Sequence, residues 1–170
     1  MAAAGVPPTV DLQAGIAALE EDLPRVLKVE RVSSLEQIGW SRPSKLVLLI
    51  PMRGTHAGQT DEYLLRLAFQ GYRKWPPSAQ FVNPETQAYR YPEDEHHVPK
   101  ITSQECYTHN AYRKTPTDSP RQLICCSATL EFYEIQHGVQ PYHLWRETDT
   151  FFTTITAIRK AFASSYQGRF

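Results

Sequence analysis

No stretch of the chain approaches the length of a membrane-spanning helix. Met1-Ala2-Ala3-Ala4-Gly5-Val6-Pro7-Pro8 has neither the basic flank nor the apolar run of a signal peptide. Neither sign of charge is in excess: 18 basic and 18 acidic residues give a formal net charge of zero. That argues against a partner held by bulk electrostatics, whether nucleic acid or an anionic membrane. Cysteine is scarce. Cys106, Cys125 and Cys126 are odd in number, which fits free thiols in a reducing cytoplasm and not a disulfide framework. Internal repeats, low-complexity segments and a nucleotide-binding glycine loop are all missing, so any ATP chemistry must happen on another protein. What is present is globular: 21% charged and 11% aromatic residues in 170, enough for one domain with one core.

The first periodic element covers residues 11–23. Leu12, Ile16, Leu19 and Leu23 recur at helical spacing, Asp11 is placed to cap the start, and Pro24 is expected to stop the helix. Residues 26–32 alternate as a half-exposed strand would. Leu46-Val47-Leu48-Leu49-Ile50, closed by Pro51, has the mark of a buried strand. Residues 54–61 carry turn chemistry. Tyr63, Leu65, Leu67 and Phe69 alternate as a third strand, and residues 79–82 form a fourth after Pro76-Pro77. Short strands joined by tandem loops predict an antiparallel meander. Residues 83–120 read as a long irregular stretch, followed by extended chain over 122–126 and 129–133. Phe151, Ile155, Ile158 and Phe162 then mark an amphipathic helix, with Asp149 as its expected cap. The order predicts an α+β domain with helices outside a mostly antiparallel sheet.

Several of these segments resemble the ubiquitin-conjugating (UBC) family. They are Gly54-Thr55-His56-Ala57-Gly58, Tyr63-Leu64-Leu65-Arg66-Leu67-Ala68-Phe69, and Tyr72-Arg73-Lys74-Trp75-Pro76-Pro77-Ser78-Ala79-Gln80-Phe81. Downstream, Leu123-Ile124-Cys125 is similar to the family's apolar approach to its active cysteine, and Trp145 before a helix is similar to its Trp. The likeness spans roughly residues 10–163. It implies a UBC-like domain over 10–170 after a flexible 1–9, with an N-terminal helix, a four-stranded antiparallel meander, a cysteine-bearing loop and a C-terminal helix. The family's His-Pro-Asn tripeptide is missing; His109-Asn110 is its nearest echo, farther from the cysteine than the family places it. In this the chain is more similar to divergent bacterial conjugating enzymes than to eukaryotic ones.

The resemblance implies a cytoplasmic carrier that takes a ubiquitin-like protein from an activating enzyme as a cysteine thioester and passes it to an amine on a target protein. It implies no cofactor. For bacterial members it also implies a deconjugating peptidase in the same pathway and a role in phage defence. Thiol chemistry suits the task, because a thiolate is both nucleophile and leaving group near neutral pH. Cys125 fits the alignment best, with Ile124 in the preceding apolar position; Cys126 is its rival. In extended chain the two face opposite sides, so one is accessible. His109 or Asn110 is the candidate oxyanion donor, and His137 or His143 a candidate base. Three other readings stand beside this one. Both cysteines are small buried hydrophobes; Cys106, His109, Cys125 and Cys126 hold a metal, although no Cys-x-x-Cys spacing occurs; or the domain is an inactive binding or scaffold module. His96-His97 reads as solvated loop, and Tyr72, Trp75 and Phe81 as core aromatics.

Overall fold

The computed structural model describes residues 8–135 and 144–170. The chain is α+β, with an N-terminal helix, a four-stranded antiparallel sheet and a C-terminal helix. The sheet runs in the order β1 (Ser41–Ser44), β2 (Val47–His56), β3 (Gln59–Ala68), β4 (Ser78–Val82). The β2–β3 turn is only Ala57-Gly58, both at positive φ (50° and 81°), the two-residue geometry that matches the twist of its flanking strands. The turn chemistry expected over 54–61 therefore shrinks to its centre, and Gly54 to His56 extend β2.

Alternation sets the core. Leu48, Ile50 and Met52 on β2, Tyr63, Leu65 and Leu67 on β3, and Ala79 and Phe81 on β4 are buried together. Each fully buried large apolar side chain contributes about 1.5–3 kcal/mol. Helix α1 (Leu12–Val29) adds Leu19 and Val26, and α3 (Phe151–Ser165) adds Phe151, Ile155, Ile158 and Phe162. Asp11 caps α1 as expected, accepting from the Ala14 amide at 3.0 Å. The helix lies tight on the sheet, since a Cβ at Gly15 would stand 2.0 Å from the Phe69 carbonyl oxygen.

Five local expectations are corrected. Pro24 lies inside α1 and does not stop it, and the strand expected at 26–32 is helix to Val29. The reason is Val26, which continues the Leu19–Asp22 stripe into the core and outweighs one lost backbone hydrogen bond. The first strand is instead Ser41–Ser44. The irregular 83–120 stretch contains β5 (Pro99–Ile101) and β6 (Cys106–Tyr112), which pair with β8 (Tyr166–Arg169) and β7 (Arg121–Cys126) respectively. Residues 129–133 are not extended, because Leu130–Glu134 form the short helix α2. Helix α3 starts from Thr150, while Asp149 accepts from the Arg146 amide at 2.8 Å. Among the described residues no helix is long and apolar enough to cross a membrane. Of the expected flexible 1–9, residues 1–7 lie outside the described chain.

Candidate active site

The three cysteines meet on one β-hairpin. Strand β7 carries Cys125 and Cys126, so the cysteine-bearing segment is a strand and not the expected loop. The partner β6 became a strand because Cys106 and Thr108 alternate inward while Tyr107 and His109 alternate outward. The register is Cys106↔Cys126, Tyr107↔Cys125, Thr108↔Ile124 and His109↔Leu123.

The Gln122 side chain clips the hairpin to the main sheet. The Gln122 amide behaves as a strand backbone would: its oxygen accepts from the Phe81 N–H at 2.6 Å, and its nitrogen donates to the Phe81 carbonyl at 2.8 Å. The Thr129 hydroxyl lies 2.8 Å from the carbonyl oxygens of both Ile124 and Cys126, which closes the turn after β7. The Tyr133 hydroxyl donates to the Ser127 carbonyl and accepts from the Trp145 amide, both at 2.8 Å. The chain leaving Cys126 is thereby fastened to the segment that leads into α3.

Adjacent cysteines on a strand face opposite ways, and here the split is between core and surface. Cys126 is 3% exposed and Cys106 1%. Cys125 is half-buried, directly across from Tyr107, which is 40% exposed. His109 sits diagonally from Cys125 on the same face, two positions along β6, within reach of a long or aromatic side chain. Its ring centroid is 4.7 Å from that of Tyr107 and 5.8 Å from that of Tyr112. Cys125, Tyr107 and His109 thus form one outward-facing set.

Asn110 does not join them. It lies three residues along β6 from Tyr107, about 10 Å, and its amide nitrogen donates to Glu95 at 3.1 Å. Its carbonyl accepts from the Tyr89 hydroxyl at 2.5 Å. His137 and His143 lie outside the described residues.

Burial pushes the Cys125 thiol up to about 11, with the neighbouring Cys126 adding to the effect. Inside the hairpin the Cys106 and Cys126 thiols act on each other, which raises the Cys106 thiol and lowers that of Cys126. The four residues weighed as metal ligands are divided between the two faces of the ladder. They cannot surround one tetrahedral ion, and among the described residues no group of three or more His, Cys, Asp or Glu is placed to hold a metal. His96 and His97 stack at 3.9 Å on a short turn beside Asp94, away from the hairpin's cysteines in sequence and pairing. Tyr72, Trp75 and Phe81 are buried, as core aromatics.

Tyr107 is the site residue that sequence reading passed over. The signal was present in the Cys106-Tyr107-Thr108-His109 alternation, but polar residues and nearby prolines masked it as irregular chain. Comparison with known proteins finds no matching family model, no matching curated protein and no matching solved structure.

Proposed function

We propose that this chain is a UBC-type carrier of a ubiquitin-like protein, with Cys125 as the thioester-forming residue. The observation that carries the reading is the division of the cysteines. Cys125 alone of the three stands on the outward face of the hairpin, while Cys106 and Cys126 are sealed in the core. The helix, four-stranded meander and C-terminal helix around it support the same reading.

The chemistry follows from the placement. The Cys125 sulfur attacks the thioester carbonyl carbon of a ubiquitin-like tail held on an activating enzyme. The new C–S bond forms, the old one breaks, and the activating enzyme's thiolate leaves. An amine on the target then attacks the same carbon, and Cys125 departs as thiolate. A thiol held near 11 is mostly protonated at neutral pH, so the attack needs a group that removes its proton. A sulfur of high pKa is also intrinsically the stronger nucleophile once ionised. Among the described residues, His109, diagonal to Cys125, is our candidate to take the proton or to donate to the oxyanion. Asn110, engaged by Glu95, is the poorer donor. The partners in this reading are an activating enzyme, a ubiquitin-like protein, a target protein and a deconjugating peptidase, in a bacterial defence setting in the cytoplasm.

One observation favours a second reading. The protonated, half-buried Cys125 is also what an inactive binding or scaffold module of this fold would carry. The test mixes the chain with the activating enzyme and ubiquitin-like protein encoded beside its gene, and ATP, and compares gels with and without reductant. A reductant-sensitive adduct that Cys125→Ser turns resistant or abolishes, and that Cys126→Ser leaves intact, supports the carrier. Adducts unchanged in both variants and in the double variant sink it. Binding without any adduct in the parent chain supports the module.

A further inference from the structure

Cys106 and Cys126 take no part in the chemistry proposed for Cys125, yet they are directly opposed at the end of the β6–β7 ladder. Directly opposed antiparallel residues have Cα atoms about 4.5–5.5 Å apart, inside the about 4.4–6.8 Å range that a disulfide bridges. Both side chains lie on the buried face of the ladder, directly across from each other.

We propose that Cys106 and Cys126 form a reversible dithiol–disulfide couple that locks the register of the hairpin beneath Cys125. Register matters here more than in most hairpins. Because the side-chain period is two, a slip by one residue would turn Cys126 outward and Cys125 into the core. A covalent link between Cys106 and Cys126 forbids that slip and keeps Cys125 and Tyr107 on the open face.

The oxidant is a peroxide. The Cys126 thiolate attacks one peroxide oxygen, the O–O bond breaks, and water leaves with the second oxygen after taking a proton. The resulting sulfenic acid is then attacked at sulfur by Cys106. The S–S bond forms, and hydroxide leaves with the Cys106 proton as water. Two thiols are oxidised and one hydrogen peroxide is reduced to two waters. Both thiols are buried in the resting fold, so peroxide reaches them when this end of the hairpin opens. The couple stands whether or not Cys125 carries a thioester.

The test treats the full, reduced Cys125→Ser chain with hydrogen peroxide, quenches with catalase, unfolds it and counts free thiols with a maleimide. Cys106 and Cys126 are the only thiols in that chain. Intramolecular loss of both, with a mass lower by two hydrogens and restoration by dithiothreitol, is the expected result. In the parent chain, peptide mapping should join Cys106 to Cys126 and leave Cys125 alkylatable, and oxidation should slow amide exchange in both hairpin strands. Both thiols remaining free after peroxide, cross-links only between molecules, or a Cys106–Cys125 link in the parent would each overturn the proposal. So would hairpin exchange that is unchanged once the bond has formed.

Discussion

The Tyr72 hydroxyl donates to the buried carboxylate of Asp22 and accepts from the Phe151 backbone amide at 3.0 Å. One phenol thus joins helix α1, the turn after β3 and the first residue of α3. Arg73 completes the pairing with two bonds to the same carboxylate, at 2.9 and 2.8 Å. The Trp145 indole then donates to the Arg73 carbonyl at 2.8 Å. Asp22 is 0% exposed, so its charge depends on these partners and on Arg25, 3.6 Å away.

Removing either side of this junction should be costly, but unequally. Asp22→Ala takes the acceptor from Tyr72 and leaves Arg73 only Glu21, and should cost about 3–5 kcal/mol. Tyr72→Phe keeps the ring packing and leaves the Asp22–Arg73 pair in place. It should cost about 1–3 kcal/mol through the orphaned Phe151 amide and the lost donor. Urea unfolding midpoints rank the two; equal losses would show that the hydroxyl, not the charge pair, holds the junction.

The C-terminal strand depends on a second carboxylate. Asp61 accepts from the Tyr166 hydroxyl at 2.5 Å and from Arg169 at 2.9 Å, and Tyr166 is also bonded to Tyr63 at 2.5 Å. The Tyr166 hydrogen bond, with the Arg169 guanidinium behind it, holds the Asp61 carboxyl below its usual range. A lowered folded-state value means that this stabilisation is present above the ordinary 3.8 and disappears as pH falls through the folded value. Amide exchange in β8 should therefore accelerate in acid below that range. In Asp61→Asn it should be faster at neutral pH and lose that acid step.

Glu131 has the opposite sign. Its carboxyl accepts from Ser78 and from the Ala79 amide, tying α2 to the edge of β4, and burial pushes it from 4.5 up to about 7. The folded state then holds the proton more tightly than the unfolded chain. The contribution is full below 4.5 and is lost as pH rises through about 7. Glu131→Gln keeps an acceptor for Ala79 and offers a donor to Ser78 without titrating. Its unfolding free energy should be flatter than the parent's across that window; parallel curves would remove Glu131 as the cause.

The elements legible in the sequence are those whose pattern is long and local. Phe151, Ile155, Ile158 and Phe162 fix α3 by themselves, and the β2–β3 alternation needs only its own turn. Strand β1 was invisible because Ser-Arg-Pro-Ser is an exposed edge with nothing apolar to alternate. Strands β5 and β6 were invisible because their partners lie far along the chain or beyond a polar, proline-bearing loop. At the site, parity alone separates Cys125 from Cys126. Which of them faces the core required β6, since Cys106 and Thr108 define the inward side. Asn110 looked equivalent to His109 until Glu95 appeared as its partner.

The last prediction follows from that division and needs no partner protein. Iodoacetamide reacts with thiolate, so each thiol's rate reports both exposure and ionisation. In the folded chain Cys125 should be alkylated first, because Cys106 and Cys126 are packed beneath the hairpin. Its rate should climb with pH toward a midpoint near 11, above the 9.0 of an ordinary cysteine, since burial and the adjacent Cys126 oppose its ionisation. Cys126→Ser removes the neighbour but not the burial, so the midpoint should fall only part of the way toward 9.0. Peptide mass spectrometry after timed quenching assigns the modified sulfur. Labelling of Cys126 ahead of Cys125 in the folded chain would mean that the hairpin stands one residue out of the register described, with the outward thiol exchanged for the inward one.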